Sequence, residues 1–146
     1  VTAGYAFDVS ETLSLDLSAT GYIYPGEADS NYVEGAAALE FALDDISTRI
    51  GLSFVPGQRG TRDEQGQAHR NFYMFAGASY ELSGLPLTLS AQLGRERGYF
   101  DEAQNGSKLD WSLGGELKLD RFRLGLAYSG SDAARDRIAA SLFADF

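Results

Sequence analysis

Apolar and polar residues alternate one by one along almost the whole chain. In TLSLDLSATGYIY (12–24), Leu13, Leu15, Leu17, Ala19, Gly21 and Ile23 fall on one face. Ser14, Asp16, Ser18, Thr20 and Tyr22 fall on the other. KLDWSLGGELKLD (108–120) sets Leu109, Trp111, Leu113, Leu117 and Leu119 against Asp110, Ser112, Glu116 and Lys118. RFRLGLAYS (121–129) opposes Phe122, Leu124, Leu126 and Tyr128 to Arg121, Arg123 and Ser129, and LPLTLSAQL (85–93) behaves likewise. A period of two is the signature of a strand with two unlike faces. Nine such runs are predicted, at 1–8, 11–24, 31–43, 46–55, 71–83, 85–97, 108–119, 121–129 and 136–146. Many reach ten residues or more, where a globular strand averages about five or six. About 9–11 residues is the length that a tilted strand needs to cross a bilayer.

The connections alternate in length. Asp8–Ser10, Asp44–Asp45, Ser83–Gly84 and Asp120 read as tight turns. Between them lie longer polar loops at 25–30, 56–70, 98–107 and 130–135. Short connections at one end and long ones at the other are the sidedness of outer-membrane barrels. The predicted fold is therefore all-β, an antiparallel up-and-down transmembrane β-barrel in one domain over 1–146.

A soluble lipocalin-like barrel is the competing all-β reading, with its apolar face inside. Strand length argues against it. So do aromatics near the ends of the apolar rows, among them Phe54, Phe72, Tyr80, Trp111, Phe122, Tyr128 and Phe146, which resemble interfacial girdles. The polar rows carry opposite charges suited to a lumen: Asp16, Glu34, Glu40, Glu81, Glu96, Asp110 and Glu116 with Arg49, Lys118, Arg121, Arg123 and Arg137. These twelve are the candidate pore-lining residues, since rings of charge set the selectivity of a pore.

The last strand, RIAASLFADF (137–146), places Ile138, Ala140, Leu142, Ala144 and Phe146 on one face and stops on Phe. That ending resembles the signal by which barrel-assembly machinery recognises outer-membrane barrels. With the C-terminus in the periplasm, every long loop falls outside and Val1 lies at the external end of the first strand. Bacterial single-chain barrels have even strand numbers. An odd number of strands is thus expected before Val1, or from another chain, and the N-terminus is expected to be processed or incomplete.

Composition narrows the chemistry. Hydrophobic residues make up 44% and charged residues 23% of the 146, which suits a folded domain rather than a disordered one. The net charge of −9 argues against a nucleic-acid partner, which needs a basic face. There is no Cys, so no disulfide or thiolate metal site arises. No run of 18 apolar residues exists to form a transmembrane helix. His69, the single histidine, sits in the longest polar loop beside Arg70, the wrong place for a lipase-type triad on a lipid-facing strand. The acidic pairs Glu27-Asp29, Asp63-Glu64 and Asp101-Glu102 lack the spacing of an EF-hand and read as solvated loop charge. Asn105-Gly106-Ser107 reads as a turn. No catalytic residue, metal or cofactor is expected.

Tyr24-Pro25-Gly26, then Asn31-Tyr32-Val33-Glu34, Asp110-Trp111-Ser112 and the Ala-rich, Arg-containing closing hairpin together resemble a proteobacterial family of small outer-membrane porins, the TorF-type or Gcw_chp-type proteins. The resemblance covers most of the chain. It implies a barrel of about twelve strands, with further strands upstream. It also implies an address, the outer membrane of a Gram-negative bacterium, with lipid, lipopolysaccharide and other envelope chains as partners. The function expected is passive diffusion of small solutes through a charge-lined lumen, with a mild cation preference. The alternative is a non-conducting scaffold, adhesin or complex subunit acting through its external loops.

Overall fold

The computed structural model describes residues 1–101 and 106–144. It contains nine strands: β1 (Thr2–Asp8), β2 (Leu13–Tyr22), β3 (Tyr32–Leu43), β4 (Ile46–Val55), β5 (Asn71–Glu81), β6 (Leu87–Gly98), β7 (Lys108–Leu119), β8 (Phe122–Ser131) and β9 (Arg137–Ala144). Each pairs antiparallel with the next, so the spatial order is the chain order, β1 to β9. Short 3-10 turns at Ala28–Ser30 and Arg59–Thr61 interrupt the loops. The sheet is not closed into a barrel. β1 and β9 are its two edges.

Turn chemistry sets the register. Leu43 pairs with Ile46 and Leu119 with Phe122, leaving two-residue hairpin turns. Their first residues, Asp44 and Asp120, both have φ of +51°. Asp tolerates this left-handed region better than most residues, and its twist matches that of the flanking strands. Gly84, with φ of +83°, serves the β5–β6 turn. Once a turn fixes one pair, period two assigns every side chain of the hairpin to a face.

The two faces differ in packing as well as chemistry. The buried residues of the strands, Ala38, Gly51, Val55, Asn71 and Gly94, all belong to the polar row. Side chains on that row also reach over an intervening strand, as from β5 to β7, so this is the crowded side. The apolar row stays open: Leu93 is 60% exposed, Leu126 61% and Leu142 64%. Among the described residues only Ala38 and Val55 are buried hydrophobics. A soluble barrel would bury the leucines; here they are exposed, and the few buried strand residues lie on the other face.

Candidate functional site: the polar face and its loop end

The polar row carries the charges, and the register decides which meet. The two-residue turn after Leu43 sets Glu40 directly opposite Arg49. Asp16 stands opposite Ala38. Because Ala38 is small, Arg49 reaches across β3, with Nη1 3.3 Å from Glu40 Oε2 and Nη2 4.0 Å from Asp16 Oδ2. All three side chains are about half exposed, so the pairing adds little to stability, about 0–1 kcal/mol.

Nearer the loop end, Glu96 is ion-paired with Lys108 directly opposite. Its Oε1 also accepts from Asn71 Nδ2 at 2.9 Å. Asn71 Oδ1 accepts from the Phe100 amide at 3.0 Å, and Lys108 Nζ donates to the Phe100 carbonyl at 3.3 Å. One buried amide therefore ties β5, β6, β7 and the following loop together. Tyr73 on β5 lies over Gly94 and donates to Asp110 Oδ1 on β7 at 3.0 Å. Phe75 covers Gly51 in the same manner. Both glycines sit in the polar row, where the missing side chain makes room for a ring from the neighbouring strand.

Glu34 stands opposite Thr20 on β3, and Arg137 opposite Ser129 on β9. With Asp110, Ser112 and Tyr73 they border a concavity of about 530 Å³ near the loop end. At the turn end, Glu81 and Glu116 border another of about 510 Å³. Lys118 faces Arg123 across the β7–β8 pair, and the Arg123 guanidinium lies 5.4 Å from the centre of the Phe143 ring. The strand start expected at Arg121 is corrected by one position. β8 begins at Phe122, so Arg121 occupies the turn beside Asp120, 3.8 Å away, outside the strands.

On the apolar face, Phe54, Phe72, Trp111 and Tyr128 stand toward the loop end, and Tyr80 and Phe122 at the turn end. Phe146, like Glu102, Asn105 and Asp145, lies outside the described residues.

The long loop 56–70 is built rather than slack. The Gln58 amide pairs with the Val33 backbone like one more strand residue: its Nε2 donates to the Val33 carbonyl at 2.8 Å and its Oε1 accepts from the Val33 amide at 3.0 Å. Thr61 is fully buried and closes a capping box with Gln58. Arg59 is ion-paired with Asp29 of the 25–30 loop. Tyr99 Oη donates to the Arg62 carbonyl at 3.1 Å. Asp63 accepts from the amides of Gln65 and Gln67 at 3.0 and 2.8 Å, and its other oxygen is 2.7 Å from His69 Nε2. The His69 hydrogen bond, then the Gln67 amide, holds the Asp63 carboxyl below its usual range. At the same end Tyr22 and Tyr32 stack with centroids 4.5 Å apart, and Phe100 lies 5.2 Å from Tyr32.

A sequence model described as a bacterial protein of unknown function (Gcw_chp) matches residues 1–143, nearly the whole chain. The chain belongs to the Gcw_chp family. No curated protein matches it. In this Gcw_chp chain, sequence reasoning missed Lys108, Asn71, Tyr73 and Gln58. Lys108 was within reach, because it shares parity with Asp110 on the same predicted strand. Asn71 required the β5–β6 register, and Tyr73 two successive hairpin registers. Gln58 pairs with a residue 25 positions away and carries no local signal.

Proposed function

We propose that this chain is the wall of an outer-membrane β-barrel in a Gram-negative bacterium, and that it passes small solutes by diffusion along its charged polar face. The observation that carries the reading is the reversed packing: an exposed leucine-rich face edged by aromatics, behind a crowded polar one. In water such a face is a liability. In a bilayer it is the lipid-facing surface. The dimensions fit. Phe72 and Tyr80 lie eight residues apart on β5, about 27 Å along a strand. At a barrel tilt of about 40° that projects to about 20 Å, within an apolar band of about 25 Å. In this reading the edges β1 and β9 are paired in the membrane, since each unpaired backbone group in lipid costs several kcal/mol.

Carboxylates outnumber cations on the polar face, which favours a mild cation preference. The loop cap supports a second reading. Arg59–Asp29 and Gln58–Val33 hold the external loops as a shaped surface, as an adhesin or envelope-complex subunit requires. Single-channel recording in a planar bilayer under a KCl gradient separates the two. Discrete steps with a cation-selective reversal potential support the pore. A protein that inserts, migrates as a heat-modifiable band and never conducts refutes it in favour of the loop surface.

A further inference from the structure

The concavity of about 530 Å³ near the loop end is charged unequally from side to side. Its anionic side is Glu34 and Asp110, the latter oriented by the Tyr73 hydroxyl. Its cationic side is Arg135 and Arg137. Neither arginine is ion-paired among the described residues, although Asp136 lies between them and Asp132 three residues before them in the chain. Those aspartates are held elsewhere. Asp132 Oδ1 accepts from the Leu109 amide at 2.9 Å, and Asp136 accepts from the Tyr128 hydroxyl. Ser131 Oγ accepts from the amides of Ala133 and Ala134 at 3.3 and 2.9 Å and shapes the turn that leads to Arg135, while Arg137 opens β9 opposite Ser129. Between the two sides lie hydroxyls, the Gln92 amide, small residues, Trp111 and the Glu96–Lys108 ion pair. Glu96 and Lys108 cancel each other.

Asp110 pairs with Ser131, and Ser129 with Arg137, so the two charged residues are two strands and two residues apart. From strand spacing and rise, their Cα atoms are roughly 12 Å apart. The structure thus keeps both charges and does not let them collapse onto one another. A free cation is repelled by one side and a free anion by the other. A small molecule carrying both charges satisfies both, its carboxylate taken by the guanidinium pair in the geometry arginine favours and its ammonium by Asp110 and Glu34.

We infer that this concavity is a binding subsite for small zwitterions of the amino-acid type, an inference that rests on the polar face being a lumen. Its volume lies within the usual range for small-ligand sites, about 300–1,000 Å³. The field across it orients a dipolar solute as it passes.

The test uses the full chain folded in detergent micelles, with folding verified by heat-modifiable migration. Saturation-transfer NMR titrations compare L-glutamine with N-acetyl-L-glutamine, which keeps only the carboxylate, and L-glutaminamide, which keeps only the ammonium. L-glutamine is expected to bind about tenfold more tightly than either, because each analogue loses one charge-assisted contact. Arg135→Gln with Arg137→Gln is expected to weaken L-glutamine about tenfold, and Glu34→Gln to weaken it while leaving N-acetyl-L-glutamine unchanged. Equal binding of the zwitterion and the N-acetyl compound, no binding at all, or indifference to the arginine substitutions overturns the proposal. Liposome swelling with the same solutes keeps the two claims apart. A protein that binds L-glutamine yet admits no solute retains the subsite and loses the pore. One that conducts KCl without zwitterion binding loses the subsite alone.

Discussion

Replacing Gly94 by Ala tests whether the ring from β5 is locked over β6. An added Cβ would stand 2.6 Å from both Tyr73 Cζ and Asp110 Oδ1, and closer still to the phenol oxygen. Ordinary contact begins near 3.4 Å, so the ring must lift. Lifting it breaks the 3.0 Å hydrogen bond to Asp110. A bond to a charged acceptor is worth about 1.5–3 kcal/mol, and overpacking costs about 1–3 kcal/mol. The groove is open to water, which re-solvates part of what is released, so the expected loss is about 2–4 kcal/mol. Gly35→Ala is the control. Nothing lies within 4 Å of its added Cβ, and a strand Ala is favoured over Gly by about 0.5–1 kcal/mol. The assay is urea unfolding of protein reconstituted in lipid vesicles, followed by the fluorescence of Trp111, the single tryptophan. Tyr73→Phe alone and with Gly94→Ala completes a double-mutant cycle that separates the hydrogen bond from the clash. If Gly94→Ala unfolds within about 0.5 kcal/mol of the parent, the aromatic lock does not exist as described.

Leu126→Arg distinguishes a lipid-facing wall from a wet one. Leu126 is 61% exposed, so in water the change is nearly neutral, whereas at a bilayer midplane it costs about 2–4 kcal/mol; comparing unfolding in vesicles of thin and thick acyl chains reads the difference. Arg49→Gln removes the cation between Asp16 and Glu40 and is expected to move the reversal potential further toward cation selectivity at little cost in stability; an unchanged potential removes Arg49 from the conduction path. The Asp63 carboxyl has a folded pKa below its unfolded one, so its contribution to loop order is present above the ordinary carboxylate range and is lost as pH falls through the folded value. Protection of the Gln65 and Gln67 amides, taken relative to their intrinsic exchange rates, is expected to fall only below that range, and Asp63→Asn to abolish the transition; protection that does not change with pH refutes it.

All nine strands were legible because alternation persists along each of them, and their ends fall within about two residues of expectation in most cases. The faces were legible too, since period two needs no knowledge of partners. What alternation leaves open is which face is crowded. The five buried strand residues settle that in the fold, and four of them, Ala38, Gly51, Val55 and Gly94, are apolar or glycine residues hidden in the polar row. Arg49 with Glu40 follows from one tight turn. Asp110 with Tyr73 does not, because its partner lies two registers away, across a glycine that on its own reads only as a weak point in a strand. The loop 56–70 looked like polar filler because its contacts, Gln58 with Val33 and Arg59 with Asp29, join segments about 25–30 residues apart. Arg121 was placed one position too far into a strand, since parity continues through a turn while the backbone does not.

The sheet order β1 to β9 has a consequence for how the sheet is made. Each strand bonds only to the one synthesised before it and the one synthesised after. The chain therefore never has to thread back through what is already formed, and each new hairpin finds its template waiting beside it. Such a sheet can zip up from one edge, with loop closure costing little entropy at each step. It can also lengthen or shorten by whole hairpins over evolutionary time without disturbing the registers already in place. The width of the sheet is then an inherited variable, separate from the pairing rules that each hairpin carries within itself.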